Sequence, residues 1–129
     1  MRERIFSAPG FKPGRSQSIV ELVDIYPTLC ELTGKPIPNS VEGKSLVPIL
    51  NDPKASVKDA AKSFTRNGTG LRTAKFAYMR YKDGSEELYD MDADPQQFTN
   101  LARKPDADRN KILDAMRKRV PLTNKRSKK

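Results

Sequence analysis

The sequence predicts an α+β fold, in which an antiparallel sheet has one helix packed on it and follows a shorter helical segment. Between residues 61 and 90, short strand-like runs alternate with turns of a few residues, which can only join antiparallel neighbours. Residues 106–119 carry the apolar stripe Ile112, Leu113 and Met116, and Pro121 ends the helix. Upstream, residues 24–33 are bounded by helix start and stop signals.

The first helix is predicted from about Asp24 to Thr33. The Asp24 carboxylate can accept hydrogen bonds from the first turn, where Pro27 is tolerated because its missing N–H has no partner there. Gly34 supplies the stop. The helical spacing places four apolar side chains on one face, which we expect to be buried: Leu22, Ile25, Leu29 and Leu32. A helical turn is expected at residues 45–50.

Strands are expected at residues 61–65, 71–73, 76–81 and 86–90, with a turn at 67–70. Asp83-Gly84 predicts a tight hairpin, because this pair readily adopts positive φ angles. Glu86 and Glu87 point to opposite faces, so they cannot act as a carboxylate pair, and Glu86 is expected to be a solvated charge.

Two helix starts are predicted after the strands. Asp94, followed by Pro95 and Gln97, has the order of a cap, a first helical residue and a capping-box residue. Asp106 is the expected cap of the better helix.

The charge of the chain is unevenly distributed. Its net charge is +9, yet residues 1–102 hold 14 Lys and Arg against 13 Asp and Glu, while residues 103–129 hold 11 against 3. The pattern predicts a near-neutral body followed by a basic tail, disordered over residues 120–129. No apolar run has the length of a membrane span or of a signal peptide.

The residue types limit the chemistry. There is no His, which is the commonest general base near neutral pH, and Cys30 is the only Cys. Asp90, Asp92 and Asp94 imitate the start of a calcium loop, but Pro95 and Leu101 occupy positions that require Gly and Glu, so we interpret them as turn caps. Asn67-Gly68-Thr69 matches a glycosylation acceptor, although a plain turn is the simpler interpretation.

Two ordered sets of motifs resemble the C-terminal portion of sulfatases, most closely the iduronate-2-sulfatase-like branch. The first set is Val20-Glu-Leu-Val-Asp24-Ile-Tyr-Pro27-Thr28-Leu29, Leu32-Thr33-Gly34 and Glu42-Gly43-Lys44-Ser45-Leu46. The second is Leu71-Arg72-Thr73, Tyr78, Glu87-Leu88-Tyr89-Asp90, Asp94-Pro95 and Asn100-Leu101. The resemblance also includes Phe6-Ser7-Ala8-Pro9-Gly10, which looks like the last strand of the family's large sheet.

The resemblance implies a large α/β domain that carries the chemistry and a small subdomain with about four antiparallel strands and a packed helix. It implies a formylglycine made from the Cys of a Cys-x-Pro/Ala-x-Arg motif, and a calcium ion that helps bind the sulfate. Cys30 lies in Thr28-Leu29-Cys30-Glu31-Leu32-Thr33, without Pro or Ala and Arg at the required offsets. We therefore expect no catalytic residue and no metal ligand in this chain, and substrate-binding residues cannot be named.

The resemblance divides the chain into a remnant of the large domain at residues 1–50, the small subdomain at 51–119 and the basic tail. It identifies the chain as a C-terminal fragment whose partner is the missing N-terminal catalytic part. Sulfated sugars are possible substrates of the parent, which is expected to be exported to the periplasm or secreted. We expect coding sequence upstream of Met1 to contain the Cys-x-Pro/Ala-x-Arg motif, and residues 1–50 to need a partner for full order.

Two other functions remain open at this point. The chain could be a stand-alone structural or interaction module without an enzyme. It could also bind nucleic acid through the basic tail, since such runs displace counterions from phosphates. No aromatic residue is interleaved with the tail, which makes nucleic acid the weaker hypothesis.

Overall fold

The computed structural model describes residues 8–104 and 106–121. The helices are α1 (Ile25–Leu32), α2 (Val47–Asn51) and α3 (Ala107–Arg119), with 3-10 turns at Leu22–Asp24 and Leu101–Arg103; the strands are β1 (Ala60–Phe64), β2 (Gly68–Thr73), β3 (Phe76–Tyr81) and β4 (Glu86–Asp90). The chain forms two compact units, one up to Asp59 and one from Ala60 onward. The subdomain boundary at residue 50 stays a prediction.

The C-terminal unit is the predicted α+β structure. Its four strands form an antiparallel sheet in the order β1-β2-β3-β4, and Leu71, Tyr78 and Leu88 are register partners across β2, β3 and β4. These three side chains are buried with Leu113 and Met116 of α3. The packing of α3 on this face confirms the expected stripe, with Ile112 partly buried beside it.

Local signals determine where α3 and the last hairpin begin. The Asp106 carboxylate accepts a hydrogen bond from the backbone N–H of Arg109 at 2.8 Å, which confirms it as the cap of α3. Between β3 and β4, Gly84 has a φ of +89°, and Asp83 accepts from the Ser85 N–H. The hairpin expected at Asp83-Gly84 is therefore confirmed.

The turn predicted at residues 67–70 is wrong, because Gly68 and Gly70 lie inside β2. The chain reverses two residues earlier, at 65–68, where the Thr65 hydroxyl both donates to the Gly68 carbonyl and accepts from the Gly68 N–H. Gly68 serves close packing, since a Cβ there would lie 2.6 Å from the Arg80 carbonyl oxygen.

The helix predicted to start at Asp94 is also absent from the described residues. The Asp94 carboxylate accepts from the N–H groups of Phe98 and Thr99, and Gln97 has a φ of +61°, which a helix does not allow. The chain turns here, and the Asn100 amide then bonds the backbone of edge strand β4, at the Leu88 N–H and the Glu86 carbonyl.

In the N-terminal unit, α1 lies close to its predicted bounds. Gly34 has a φ of +68°, the Gly34 N–H donates to the Glu31 carbonyl, and the Lys35 N–H donates to the Cys30 carbonyl. This is a Schellman motif, which confirms Gly34 as the stop. The helical turn expected at 45–50 is α2. The strand expected at Ile5–Ala8 lies outside the described residues except for Ala8, which is in no strand.

Two expectations about α1 are wrong. The Asp24 carboxylate does not cap it; it accepts from the Glu21 N–H and from partners outside the helix. The face expected to be buried is largely exposed, with Leu22 68%, Ile25 38% and Leu29 49% accessible, and Leu32 is half-buried. The buried side of the helix instead consists of Asp24, Pro27, Thr28 and Cys30.

Leu113→Ala should destabilise the C-terminal unit by about 2–5 kcal/mol, because it removes a buried side chain, 2% exposed, between α3 and the sheet. The measurement is urea unfolding of the full chain followed by far-UV circular dichroism. The exposed Lys118 on the same helix provides the control Lys118→Ala. Equal midpoints for the two variants would contradict the packing of α3 on the sheet.

Candidate functional site

In the N-terminal unit the carboxylate of Asp24 is fully buried and accepts three hydrogen bonds. Its Oδ2 accepts from the Glu21 N–H at 2.7 Å. Its Oδ1 accepts from the Lys44 N–H at 2.9 Å and from Nζ of Lys58 at 2.6 Å. One carboxylate therefore connects the start of α1 to two segments that lie 20 and 34 residues further along the chain.

Thr28, one helical turn after Asp24, holds the same loop. Its hydroxyl donates to the Asp24 carbonyl at 2.5 Å and accepts from the Leu46 N–H at 2.9 Å. Gly43 allows this approach, because a Cβ there would lie 2.0 Å from the Val23 carbonyl oxygen. The motif at 42–46 is thus fixed against α1 by backbone contacts.

Lys58 completes the cluster between two carboxylates, with Nζ 2.6 Å from Asp24 Oδ1 and 2.7 Å from Glu21 Oε2. Burial acts to raise the pKa of Asp24, but the hydrogen bonds from Lys58, Lys44 and Glu21 outweigh it, so the pKa is lowered. Burial acts to lower the pKa of Lys58, and the two carboxylates raise it above its ordinary value. The pair is therefore charged at neutral pH.

A second cluster lies in the C-terminal unit around Glu86. Its carboxylate accepts from the Tyr78 hydroxyl and, in bidentate form, from Arg117, whose Nε and Nη2 lie 2.9 and 2.6 Å from Oε1 and Oε2. Arg80 Nε lies 3.7 Å from Oε1, and its Nη1 donates to the Val120 carbonyl at 3.0 Å. The expectation that Glu86 is a solvated charge is wrong, since its side chain is only 13% exposed.

The protonation states of this cluster follow from its contacts. The hydrogen bonds from Arg117 lower the pKa of Glu86, against the opposing effect of burial, and the Tyr78 hydroxyl lowers it further. Burial and the hydrogen bond to Glu86 raise the pKa of Tyr78. Glu86 is thus held ionised and Tyr78 neutral, which joins α3 to strands β3 and β4 through a charge-assisted network.

The sequence-level candidates occupy structural positions. Cys30 is buried in α1 as a small apolar side chain, and nothing around it provides the sequence that formylglycine formation requires. Asp90 accepts from the N–H groups of Asp92 and Ala93, and Asp94 from those of Phe98 and Thr99, so these two acidic residues cap turns as interpreted. The Asn67-Gly68-Thr69 acceptor leads into β2, and the basic tail lies outside the described residues from 122 onward.

The sheet face opposite α3 carries a shallow depression of about 90 Å³, lined by Ala77, Tyr78, Met79, Glu87, Tyr89 and Gln97. Burial raises the pKa of Tyr89, with a further contribution from Glu87. Arg72 belongs to the same face, between Ala61 and Ala77, and its Nη1 is buried without a hydrogen-bond partner in the part of the chain that is described. The depression is below the usual size of a ligand site.

The two charged clusters bind parts of this chain to one another. The carboxylates of Asp24 and Glu86 accept hydrogen bonds from internal donors, and no group of three or more His, Cys, Asp or Glu within residues 8–104 and 106–121 could hold a metal ion. The same residues include no helix long and apolar enough to cross a bilayer. Sequence reasoning missed Lys58 as a partner, because nothing local indicates a contact 34 residues away.

Comparison with known proteins gives a family. The family described as "N-sulphoglucosamine sulphohydrolase, C-terminal" matches residues 8–127. Human arylsulfatase K is 32% identical over 117 residues, covering 78% of this chain and 22% of the relative. A delta 4,5-hexuronate-2-O-sulfatase of Bacteroides thetaiotaomicron is 34% identical over 115 residues, covering 78% of this chain and 24% of the relative.

A structural comparison agrees. The phosphonate monoester hydrolase of Silicibacter pomeroyi superimposes with a TM-score of 0.65 and 25% identity, over 91% of this chain and 29% of that protein. The chain therefore spans only about a quarter of the length of the relatives that it matches.

Asp24→Asn should open the N-terminal unit. The amide lacks the charge that balances Lys58, and its N–H2 group can place a donor beside the Glu21 N–H. Breaking a buried ion pair in this way costs about 3–5 kcal/mol. Cys30 reports the opening, because it is buried and the only thiol. Its labelling rate by a thiol reagent should rise roughly 100-fold or more.

The control for this substitution is Glu31→Gln, an exposed carboxylate on the same helix. It should leave the labelling rate of Cys30 unchanged. A rate in Asp24→Asn equal to that of the control would mean that the ion pair does not hold the unit closed.

Glu86→Gln should weaken the C-terminal unit in a pH-dependent way. Because folding lowers the pKa of Glu86 below its ordinary 4.5, the contribution of its carboxylate is present above that value and is lost as the pH falls through the folded pKa. The variant should be about 1–3 kcal/mol less stable at pH 7. The deficit should shrink on acidification below pH 4.5.

Urea unfolding at a series of pH values measures this difference. Asp108→Asn, which removes an exposed carboxylate, is the control and should show no such trend. A deficit that stays constant from pH 7 to pH 3 would rule out a role for the charge of Glu86.

Proposed function

As this chain belongs to the N-sulphoglucosamine sulphohydrolase C-terminal family of sulfatases, we propose that it is the C-terminal portion of a sulfatase and has no hydrolytic activity of its own. The observation that carries the proposal is the family match over residues 8–127, set beside relatives of which the chain covers about a quarter. The sheet and helix of the C-terminal unit support it, because the same arrangement recurs in a solved relative.

The residues of this chain do not fit the cofactors that the resemblance implies. Formylglycine needs a Cys-x-Pro/Ala-x-Arg motif, whereas Cys30 is followed by Glu31, Leu32 and Thr33 and is buried in α1. The sequence has no His to protonate a leaving group. Calcium and formylglycine would thus be held by the catalytic portion of a full-length family enzyme. We assign the residues of this chain no role in the chemistry of either group.

The reaction of the parent is hydrolysis of sulfate esters, on sulfated sugars as substrates. The relative named as a hexuronate-2-O-sulfatase supports this substrate class, and so does the motif resemblance to the iduronate-2-sulfatase-like branch. The structural relative named as a phosphonate monoester hydrolase favours a second candidate, hydrolysis of phosphonate monoesters. The resemblance implies that the parent enzyme is exported to the periplasm or secreted.

The role of this chain in the enzyme is to complete the domain beside the catalytic cleft and to shape access of substrate. Its two units are held by internal ion pairs, as a structural subdomain requires. A stand-alone interaction module remains the alternative from another class. Stable folding of the chain as a monomer, with the apolar residues of α1 covered, would favour that alternative.

The full chain should hydrolyse no chromogenic aryl sulfate above the buffer rate, with or without added calcium. Cys30→Ala is the matched variant, because it removes the only Cys from which a formylglycine could form. Identical background rates for both proteins are expected. Turnover by the wild-type chain that disappears in Cys30→Ala would overturn the proposal.

A further inference from the structure

Helix α1 has its polar side inward and its apolar side outward. Leu22, Ile25, Tyr26 and Leu29 follow the helical spacing of one face, and we call them the α1 ridge. They are 68%, 38%, 54% and 49% exposed, while the other side of the helix buries Asp24 and Thr28 completely. A surface helix of a globular domain has the opposite arrangement, with its apolar side packed on the core and its polar side in water.

The ridge is large for the unit that carries it. From ordinary side-chain areas it presents roughly 400 Å², which is as large as the main apolar patch of a typical monomer. Among the described residues of the same unit, the buried apolar side chains are only Pro27, Cys30 and Ile49. About half of the apolar surface of the ridge is therefore exposed and contributes nothing to the stability of the unit as it stands.

A rotation of α1 about its axis that buried the ridge would break the polar contacts on the opposite side of the helix. The Asp24 carboxylate would leave Lys58 and the Lys44 N–H, and a buried charge without a partner costs several kcal/mol. The Thr28 hydroxyl would likewise leave the Leu46 N–H. The polar contacts fix the orientation of α1, so the ridge faces outward and the described residues of its unit leave it uncovered.

We propose that the α1 ridge is the surface on which the catalytic portion of a sulfatase docks, with apolar side chains of a sheet or helix layer as the covering group. The inference rests on the proposed function, and names the surface by which this chain joins its partner. The ridge contains no charged side chain, so it suits a dry layer contact of the kind that joins helices to sheets.

The identity of the occupant follows from the relatives. The ridge lies inside the segment that the family match covers, and the relatives carry this segment together with about three times as much additional chain. That additional chain accompanies the matched segment in each of these relatives, so it is the occupant that we assign to the ridge. A second copy of this chain is the competing occupant, and it predicts a dimer in solution.

The experiment co-expresses the tagged full chain with the Bacteroides thetaiotaomicron hexuronate-2-O-sulfatase lacking the segment that matches this chain. The truncated enzyme would expose the complementary apolar surface and is expected to be insoluble alone. The wild-type chain should recover it in a soluble complex. Leu29→Asp should lower the recovered amount at least about tenfold, since it puts a charge into an apolar contact.

Phe98→Asp is the matched control, because Phe98 is an even more exposed apolar side chain, at 82%, away from the ridge. It should recover as much enzyme as the wild-type chain. Since Leu29 is half exposed, Leu29→Asp should leave the protection of the Cys30 thiol in the isolated chain unchanged. If that protection is lost, Leu22→Asp, at the most exposed position of the ridge, replaces it.

Three results would overturn the proposal: no recovery by the wild-type chain, equal recovery by the ridge variant, or a wild-type dimer that Leu29→Asp dissociates. The last result would assign the ridge to a second copy. The proposed function fails on a different readout, the hydrolysis of aryl sulfate by the isolated chain. The two failures can therefore be told apart.

Discussion

The buried carboxylate of Asp24 is the interaction on which the N-terminal unit depends. Removing a carboxylate from water is costly, and here three donors compensate it: Lys58 Nζ and the N–H groups of Glu21 and Lys44. Because these donors come from separate segments, the ion pair fixes the position of α1 and of the loop at 42–46 together. It also fixes which side of α1 faces inward, and so leaves the apolar side of the helix uncovered.

The C-terminal unit is built on the opposite plan. Its core is apolar, with Leu71, Tyr78 and Leu88 from three adjacent strands packed against α3. Its charged cluster around Glu86 lies at the edge of this core and ties Arg117 of α3 to the sheet. The core of this unit is thus covered by elements of the unit itself. The two halves of the chain thus differ in what each needs from a neighbour, which agrees with the role of a terminal portion in a larger enzyme.

The sequence predicted the parts of the fold that local signals control. The strands, the hairpin at Asp83-Gly84, the Asp106 cap and the Gly34 stop all depend on residues within a few positions of one another. The faces of α1 could not be predicted in this way, because periodicity shows which side chains share a face and not which face is buried. That choice depends on Lys58, 34 residues from Asp24, and the burial of Glu86 depends on Arg117, 31 residues away.

The described residues of the N-terminal unit leave the α1 ridge uncovered, whereas α3 covers the core face of the sheet in the C-terminal unit. Amide hydrogen exchange of the isolated full chain, verified as a monomer, tests it most directly. We expect the amides of α1, such as those of Leu29 and Cys30, to exchange much faster than the amide of Tyr78 in the central strand β3. Equal protection of α1 and β3 in the monomer would contradict it, because the N-terminal unit would then be stable with its ridge in water.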